Sequence, residues 1–211
     1  MKIGIIQATS QKSKNPILEK CTKKVTTSKD EVINFGIFPQ SDHELSYVQI
    51  SLLIALLINT KAVDFVITGC SSGQGMMLAC NTFSNIQCGY LPTPQDAYLF
   101  AQINNGNVAS LPLGLNWGWC GELNCFNILN SLFKDKMGKG YSPQDASRKI
   151  KNTLQVKQLN KQSKISMLEL LPQIDKNILY PVLDYEPVYN FIISNGKNIS
   201  LIRLLKELKN E

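Results

Sequence analysis

Residues 66–81 read VITGCSSGQGMMLACN. A β-branched apolar run ends in Gly69-Cys70, and two serines and two glycines then lead into a helix-like stretch. A thiol where a strand hands over to a glycine loop is placed for chemistry, because inward-facing backbone N–H groups favour its anionic form. Several glycine-loop chemistries fail on the spacing. A nucleotide-cradling loop closes with Gly-Lys-Ser/Thr, and no lysine follows Gly75. A dinucleotide fingerprint needs a third glycine where Leu78 stands, and a cysteine phosphatase needs an arginine where Met76 stands. A cysteine hydrolase needs a histidine to take the thiol proton, and His43 is the only histidine in the chain. What survives is a thiol that carries a proton. Cys70 would take hydrogen from a carbon beside a carbonyl while the amides of Ser71 to Gly75 hold the enediolate. Those needs coincide in aldose–ketose isomerisation. Spacing alone leaves open the plain alternative, a small buried cysteine in a tight turn.

The elements that must position this loop follow from periodicity. MKIGIIQA opens as a strand, residues 14–27 read as a helix, and DEVINFGIF (30–38) alternates like a second strand. A helix is expected from about Asp42 to Asn59, and AVDFVITG (62–69) is apolar enough to be a strand buried on both faces. A helix follows from Gly75 to Phe83, then a strand at 86–91. Thr93-Pro94 opens the helix over 93–104, with the fifth strand at 107–113 and a helix at 120–134. Alternation of this kind predicts an α/β, Rossmann-like three-layer sandwich on a five-stranded parallel sheet, with ligands at the carboxyl ends of the strands. Beyond about residue 142 the pattern turns helical, with KQLNKQSK (157–164) reading as a lysine-glutamine linker. Residues 1–154 are expected to form the α/β domain. Residues 155–211 would be a helical C-terminal extension for packing or oligomerisation.

Composition narrows the classes. The chain has 211 residues, 44% hydrophobic and 18% charged, and a formal net charge of +6 carried almost wholly by lysine. Those lysines are scattered rather than interleaved with aromatics, so no nucleic-acid surface is expected. ISLLIALLI (50–58) is too short to span a bilayer and reads as a buried helix, so no membrane partner is expected either. Six cysteines without a secretory pattern, a CxxC pair or zinc spacing predict reduced thiols in a cytoplasmic protein without a metal.

The run Cys70-Ser71-Ser72-Gly73-Gln74-Gly75-Met76-Met77-Leu78-Ala79-Cys80-Asn81 resembles the C-G-T-G-x-G-x-x-x-A-A-N loop of the ribose-5-phosphate isomerase B and galactose-6-phosphate isomerase family. A second stretch, Gln102-Ile103-Asn104-Asn105-Gly106-Asn107-Val108, is similar to that family's Q-H-N-D-T-N-V. The resemblance covers roughly residues 1–154. It implies a cofactor-free sugar isomerase in which Cys70 moves the carbon-bound proton, Ser72 helps pass the hydroxyl proton, and Asn104 holds the enediolate. Ser71, Gly73, Gln74, Gly75, Thr9, Ser10, His43, Tyr47 and Arg148 would bind the substrate. The partner implied is a small sugar or sugar phosphate, and the assembly a homodimer or homotetramer, since family members build each site at a dimer interface.

The sequence also departs from that pattern. Where the family's first strand ends in Asp-His, this one ends in Gln7-Ala8-Thr9-Ser10, and the ring-opening histidine is replaced by Ile103. Of the family's phosphate-holding arginines only Arg148 is kept, and Lys12 or Lys14 would be weaker substitutes. A proton-transfer centre without its phosphate handle predicts an unphosphorylated or already open-chain substrate. The competing expectation is a carbohydrate- or metabolite-binding protein that no longer catalyses. Trp117 and Trp119 would line a pocket mouth or an interface.

Overall fold

A computed structural model describes residues 1–115 and 117–210. Five strands, β1 (Lys2–Ile6), β2 (Glu31–Gly36), β3 (Phe65–Cys70), β4 (Cys88–Tyr90) and β5 (Val108–Pro112), form one sheet in the order β2-β1-β3-β5-β4. Every pairing is parallel. This is the Rossmann-like α/β sheet expected from the alternation of elements.

Period-2 geometry sends neighbouring residues to opposite faces. Ile3, Ile5, Phe65, Ile67 and Leu111 meet α1 (Asn15–Val25), α4 (Pro94–Leu99) and α5 (Gly121–Phe133) on one face. Ile6, Phe35, Val66 and Val108 meet α2 (Tyr47–Asn59) and α3 (Gln74–Cys80) on the other. After α4 the chain makes a π turn over Phe100–Asn104.

The helix expected over 142–154 is longer than its pattern suggested. Here α6 (Ala146–Gln162) runs on through KQLNKQ, so the expected linker is helix. Lysine, glutamine and leucine are good helix formers, and the Asn160 side chain ties the segment to Asn85 N at 2.9 Å and Ile86 O at 3.0 Å. Beyond it lie α7 (Met167–Leu170), α8 (Lys176–Leu183), α9 (Glu186–Asn195) and α10 (Ile199–Lys209). Their apolar faces, through Leu179, Val188 and Leu205, join the same buried cluster as α2. No helix among the described residues is long and apolar enough to cross a membrane.

Tyr185, between α8 and α9, is 1% exposed, and its hydroxyl donates to Phe35 O on β2. Burial pushes its pKa up to about 12. An unfolded tyrosine ionises near pH 10, so this stabilisation is complete below about pH 10 and is lost as pH rises through the folded value. Urea unfolding should therefore show stability falling between about pH 10 and pH 12, with a shallower fall in Tyr185→Phe.

Candidate active site

The connections leaving β1 and β3 diverge. The chain after β1 runs into α1 on one face of the sheet, and the chain after β3 runs into α3 on the other. Neighbouring strands whose connections part in this way leave a crevice at their carboxyl ends. A cavity of about 660 Å³ lies there. One wall is Cys70, Ser71, Ser72 and Gly75, a second is Ala8, Thr9 and Ser10, and a third runs from Glu44 through Tyr47 to Gln49.

The glycine loop keeps its shape for local reasons. Gly73 has φ +77°, and a Cβ there would lie 2.9 Å from both the Leu111 carbonyl carbon and the Tyr90 ring, so no side chain fits. Its carbonyl accepts a hydrogen bond from Ser110 Oγ on β5 at 2.6 Å, which fixes the loop to the sheet. The Gln74 amide donates to Ser72 Oγ at 3.3 Å. A Cβ on Gly75 would meet only the Tyr47 ring, at an ordinary contact distance of 3.6 Å, which places that ring against the loop. Cys70 is 8% exposed and opens onto the cavity.

The first-strand wall is tied to both neighbours. Ala8 N donates to Gly69 O at 3.1 Å. Thr9 Oγ1 accepts from Leu45 N at 2.8 Å and donates to His43 O at 3.3 Å. Gln7, one residue before this wall, is fully buried behind it, donating to Ile37 O at 2.7 Å and accepting from Asn15 Nδ2 at 2.8 Å. Its place just after β1 therefore serves a structural network.

The cavity of a single chain thus gathers Cys70, Ser71, Ser72, Gly75, Thr9, Ser10 and Tyr47. Gly73 and Gln74 belong to the loop without lining the cavity. The exposed His43 packs its ring edge-on to Tyr185, with centroids 5.2 Å apart. Asn104 lines a different cavity of about 510 Å³ beyond β4, together with Ile103, Lys149 and Asn152. Arg148 is exposed on α6 and donates through both Nε (3.2 Å) and Nη2 (3.0 Å) to Asp145. Lys12 donates to Ser41 O at 3.0 Å, and Lys14 lies 4.9 Å from the centroid of the Trp117 ring. Trp117 is packed, whereas Trp119 is 97% exposed. No arginine or lysine is among the residues lining the Cys70 cavity.

Three groups that sequence reasoning passed over stand at the site. Gln11 Nε2 donates to Ser71 Oγ at 2.9 Å. Ser46 and Gln49 form a capping box at the start of α2, with Gln49 N on Ser46 Oγ at 3.3 Å and Ser46 N on Gln49 Oε1 at 2.9 Å. The S-x-x-Q spacing of SYVQ signals that cap. Glu44 carried no such signal. All six cysteines are free, and only Cys120 is exposed. Among the described residues, no group of three or more His, Cys, Asp or Glu side chains could hold a metal ion.

Known proteins match this arrangement. The chain is similar over its whole length to a 4-deoxy-L-threo-5-hexosulose-uronate ketol-isomerase crystallised with a tartrate, at 38% identity and a TM-score of 0.94, covering 100% of both chains. It is also similar to a ribose-5-phosphate isomerase from Vibrio parahaemolyticus, at 32% identity and a TM-score of 0.93, covering 99% of each. A type B ribose 5-phosphate isomerase from Trypanosoma cruzi shares the fold at 14% identity and a TM-score of 0.64, over 77% of this chain and 99% of that one. No curated protein sequence matches the chain. The family model described as Ribose/Galactose Isomerase matches residues 6–118, which hold the crevice, the glycine loop, the last residue of β1 and the other four strands. With a parallel sheet that opens at a thiol, and relatives of this length and likeness, the chain belongs to the Ribose/Galactose Isomerase family.

Proposed function

We propose that this protein is a cofactor-independent ketol-isomerase acting on an open-chain, unphosphorylated sugar through a cis-enediolate, with Cys70 as the base. One observation carries the reading: Cys70 opens onto a crevice lined by hydroxyl groups with no cation among its walls. Phosphate is held most strongly by arginine forks, and both arginines lie elsewhere, Arg148 bound to Asp145 and Arg203 exposed on α10. The hydroxyls of Thr9, Ser10, Ser71 and Ser72 suit a polyhydroxylated chain. A substrate that is never a ring also needs no ring-opening histidine, in keeping with Ile103. The relative at 38% identity is named for a keto-uronate, which fits these terms.

In the proposed reaction the Cys70 thiolate removes the proton from the hydroxyl-bearing carbon next to the carbonyl, and the C–H electron pair forms the enediolate. Loop amides stabilise the oxygen that gains charge. The hydroxyl proton passes to the former carbonyl oxygen with the help of Ser72. The Cys70 thiol then returns its proton to the former carbonyl carbon, and the thiolate is restored. A homodimer or homotetramer belongs to this reading, because Asn104 lies in a separate cavity of its own chain and would meet an enediolate from a second copy.

Incubation in deuterium oxide tests the proposal. With 4-deoxy-L-threo-5-hexosulose-uronate the protein should form the isomer and place one deuterium at the reacting carbon. Ribose 5-phosphate should turn over at least about 100-fold more slowly, because a doubly charged phosphate depends on arginine pairing that this cavity lacks. Label in neither sugar, nor in a wider panel of aldoses and ketoses, removes the isomerase; a faster phosphorylated substrate removes the unphosphorylated assignment.

A further inference from the structure

We propose that Glu44 carries the hydroxyl proton between the two substrate oxygens, a role that rests on the isomerase reading above. Among the described residues lining the Cys70 cavity, three carry titratable side chains: Cys70, Tyr47 and Glu44. Glu44 is its only carboxylate, and among the described residues that carboxylate has no hydrogen-bond or ion-pair partner. Its backbone, by contrast, is held in place. Thr9 Oγ1 bonds to the residues on both sides of it, His43 O at 3.3 Å and Leu45 N at 2.8 Å, while Thr9 N donates to Leu45 O at 3.4 Å. The capping box at Ser46 and Gln49 fixes the chain immediately after it. The cavity wall thus includes a solvent-exposed residue with a clamped backbone and an unpartnered carboxylate that is free to turn.

Isomerisation needs two proton movements with different demands. The carbon proton goes to sulfur and back. The oxygen proton leaves the hydroxyl of one carbon and must arrive on the former carbonyl oxygen of the next. A serine hydroxyl can relay that proton only by giving up its own at the same moment, whereas a carboxylate can store it between the two transfers. In the proposed step Glu44 accepts the hydroxyl proton as the enediolate forms and becomes the neutral acid. It then donates that proton to the other oxygen, which leaves the first oxygen as the new enolate. Reprotonation of carbon by Cys70 completes a cycle in which both the carboxylate and the thiolate are regenerated.

The two roles separate in one measurement. In deuterium oxide, abstraction followed by return to the same carbon labels recovered substrate without making product, while conversion also requires the oxygen proton to move. Wild type, Glu44→Gln, Glu44→Asp and Cys70→Ala are compared by proton NMR on 4-deoxy-L-threo-5-hexosulose-uronate, or on the sugar that wild type converts fastest. Glu44→Gln should form product about 100-fold more slowly while label still enters recovered substrate within a few-fold of the wild-type rate. Glu44→Asp should recover part of the product rate. A Glu44→Gln variant in which labelling and conversion fall together, or in which neither changes, overturns the role of Glu44 and leaves Cys70 in place. Absence of label with wild type, or undiminished labelling by Cys70→Ala, overturns the isomerase reading itself.

Discussion

Cys70→Ala is expected to lower kcat by about 1,000-fold and leave KM within a few-fold. A positioned base commonly contributes between about 10² and 10⁴ in rate; no other thiol, histidine or lysine lines the cavity, and its one carboxylate, Glu44, is the group proposed for the oxygen proton. KM should hold because, on the proposed reading, binding is spread over residues on three walls of the cavity. A structural cysteine would behave differently. At 8% exposure its loss leaves a small void, and the penalty would appear as a modest drop in melting temperature with kcat intact. Cys70→Ser preserves the volume while replacing the thiol with a much weaker acid, so it should be as inactive as alanine. Iodoacetamide gives an independent check: inactivation should persist in Cys120→Ala, which removes the exposed thiol, and bound substrate should slow it. Full turnover by the alanine variant would falsify the proposed chemistry.

The parts of the site that could be read from sequence are those whose geometry is dictated locally. Gly73 must be glycine because its φ is positive and the Leu111 backbone leaves no room, and both constraints leave their mark on the motif itself. Strands β3 and β5 were legible because their residues alternate between two buried faces, and Thr93 and Pro94 marked the start of α4, where Thr93 Oγ1 accepts from Asp96 N at 3.2 Å. What could not be read depends on distant partners. The segment from Pro39 to Ser46 contains no helix or strand, so its direction is set by Thr9, more than thirty residues away. Spacing alone therefore does not separate His43 from Glu44, of which the cavity wall includes Glu44 while the His43 ring lies against Tyr185. Asn104 illustrates the same limit at larger scale. Its motif resembles a site motif, but spacing could not show that its turn lies by β4 at one edge of the sheet, away from the Cys70 of its own chain at the end of the central strand β3, so that any role at a thiol would be at that of a second copy. Gln7 looked like a lost catalytic position, and the hydrogen bonds to Ile37 and Asn15 that account for it lie outside its own stretch of sequence.

Removal of residues 163–211 should abolish folding altogether, and the reason lies in α2. Its run from Ile50 to Leu57 is buried at every position, including Leu52, Leu53, Ile54 and Leu56, so apolar side chains point all the way round the helix. A helix with that pattern must be covered on both sides. The sheet covers one side, and α8, α9 and α10, through Leu179, Val188 and Leu205, are part of the cluster around the other. Exposing a large aliphatic side chain costs about 1.5–3 kcal/mol. Baring three or four of them therefore consumes most of the roughly 5–15 kcal/mol by which a domain is stable. The fragment ending at Gln162 should lack a cooperative thermal transition and bind hydrophobic dyes. A single substitution, Val188→Asp at a fully buried position of α9, should reproduce the effect by placing an unpaired charge against α2, at more than about 3 kcal/mol in urea unfolding. A fragment that unfolds cooperatively and keeps its isomerase rate would instead make the C-terminal helices an appendage. Tyr185 argues against that outcome, because its hydroxyl bonds to Phe35 O on the edge strand β2 and binds the helices to the sheet that carries the site.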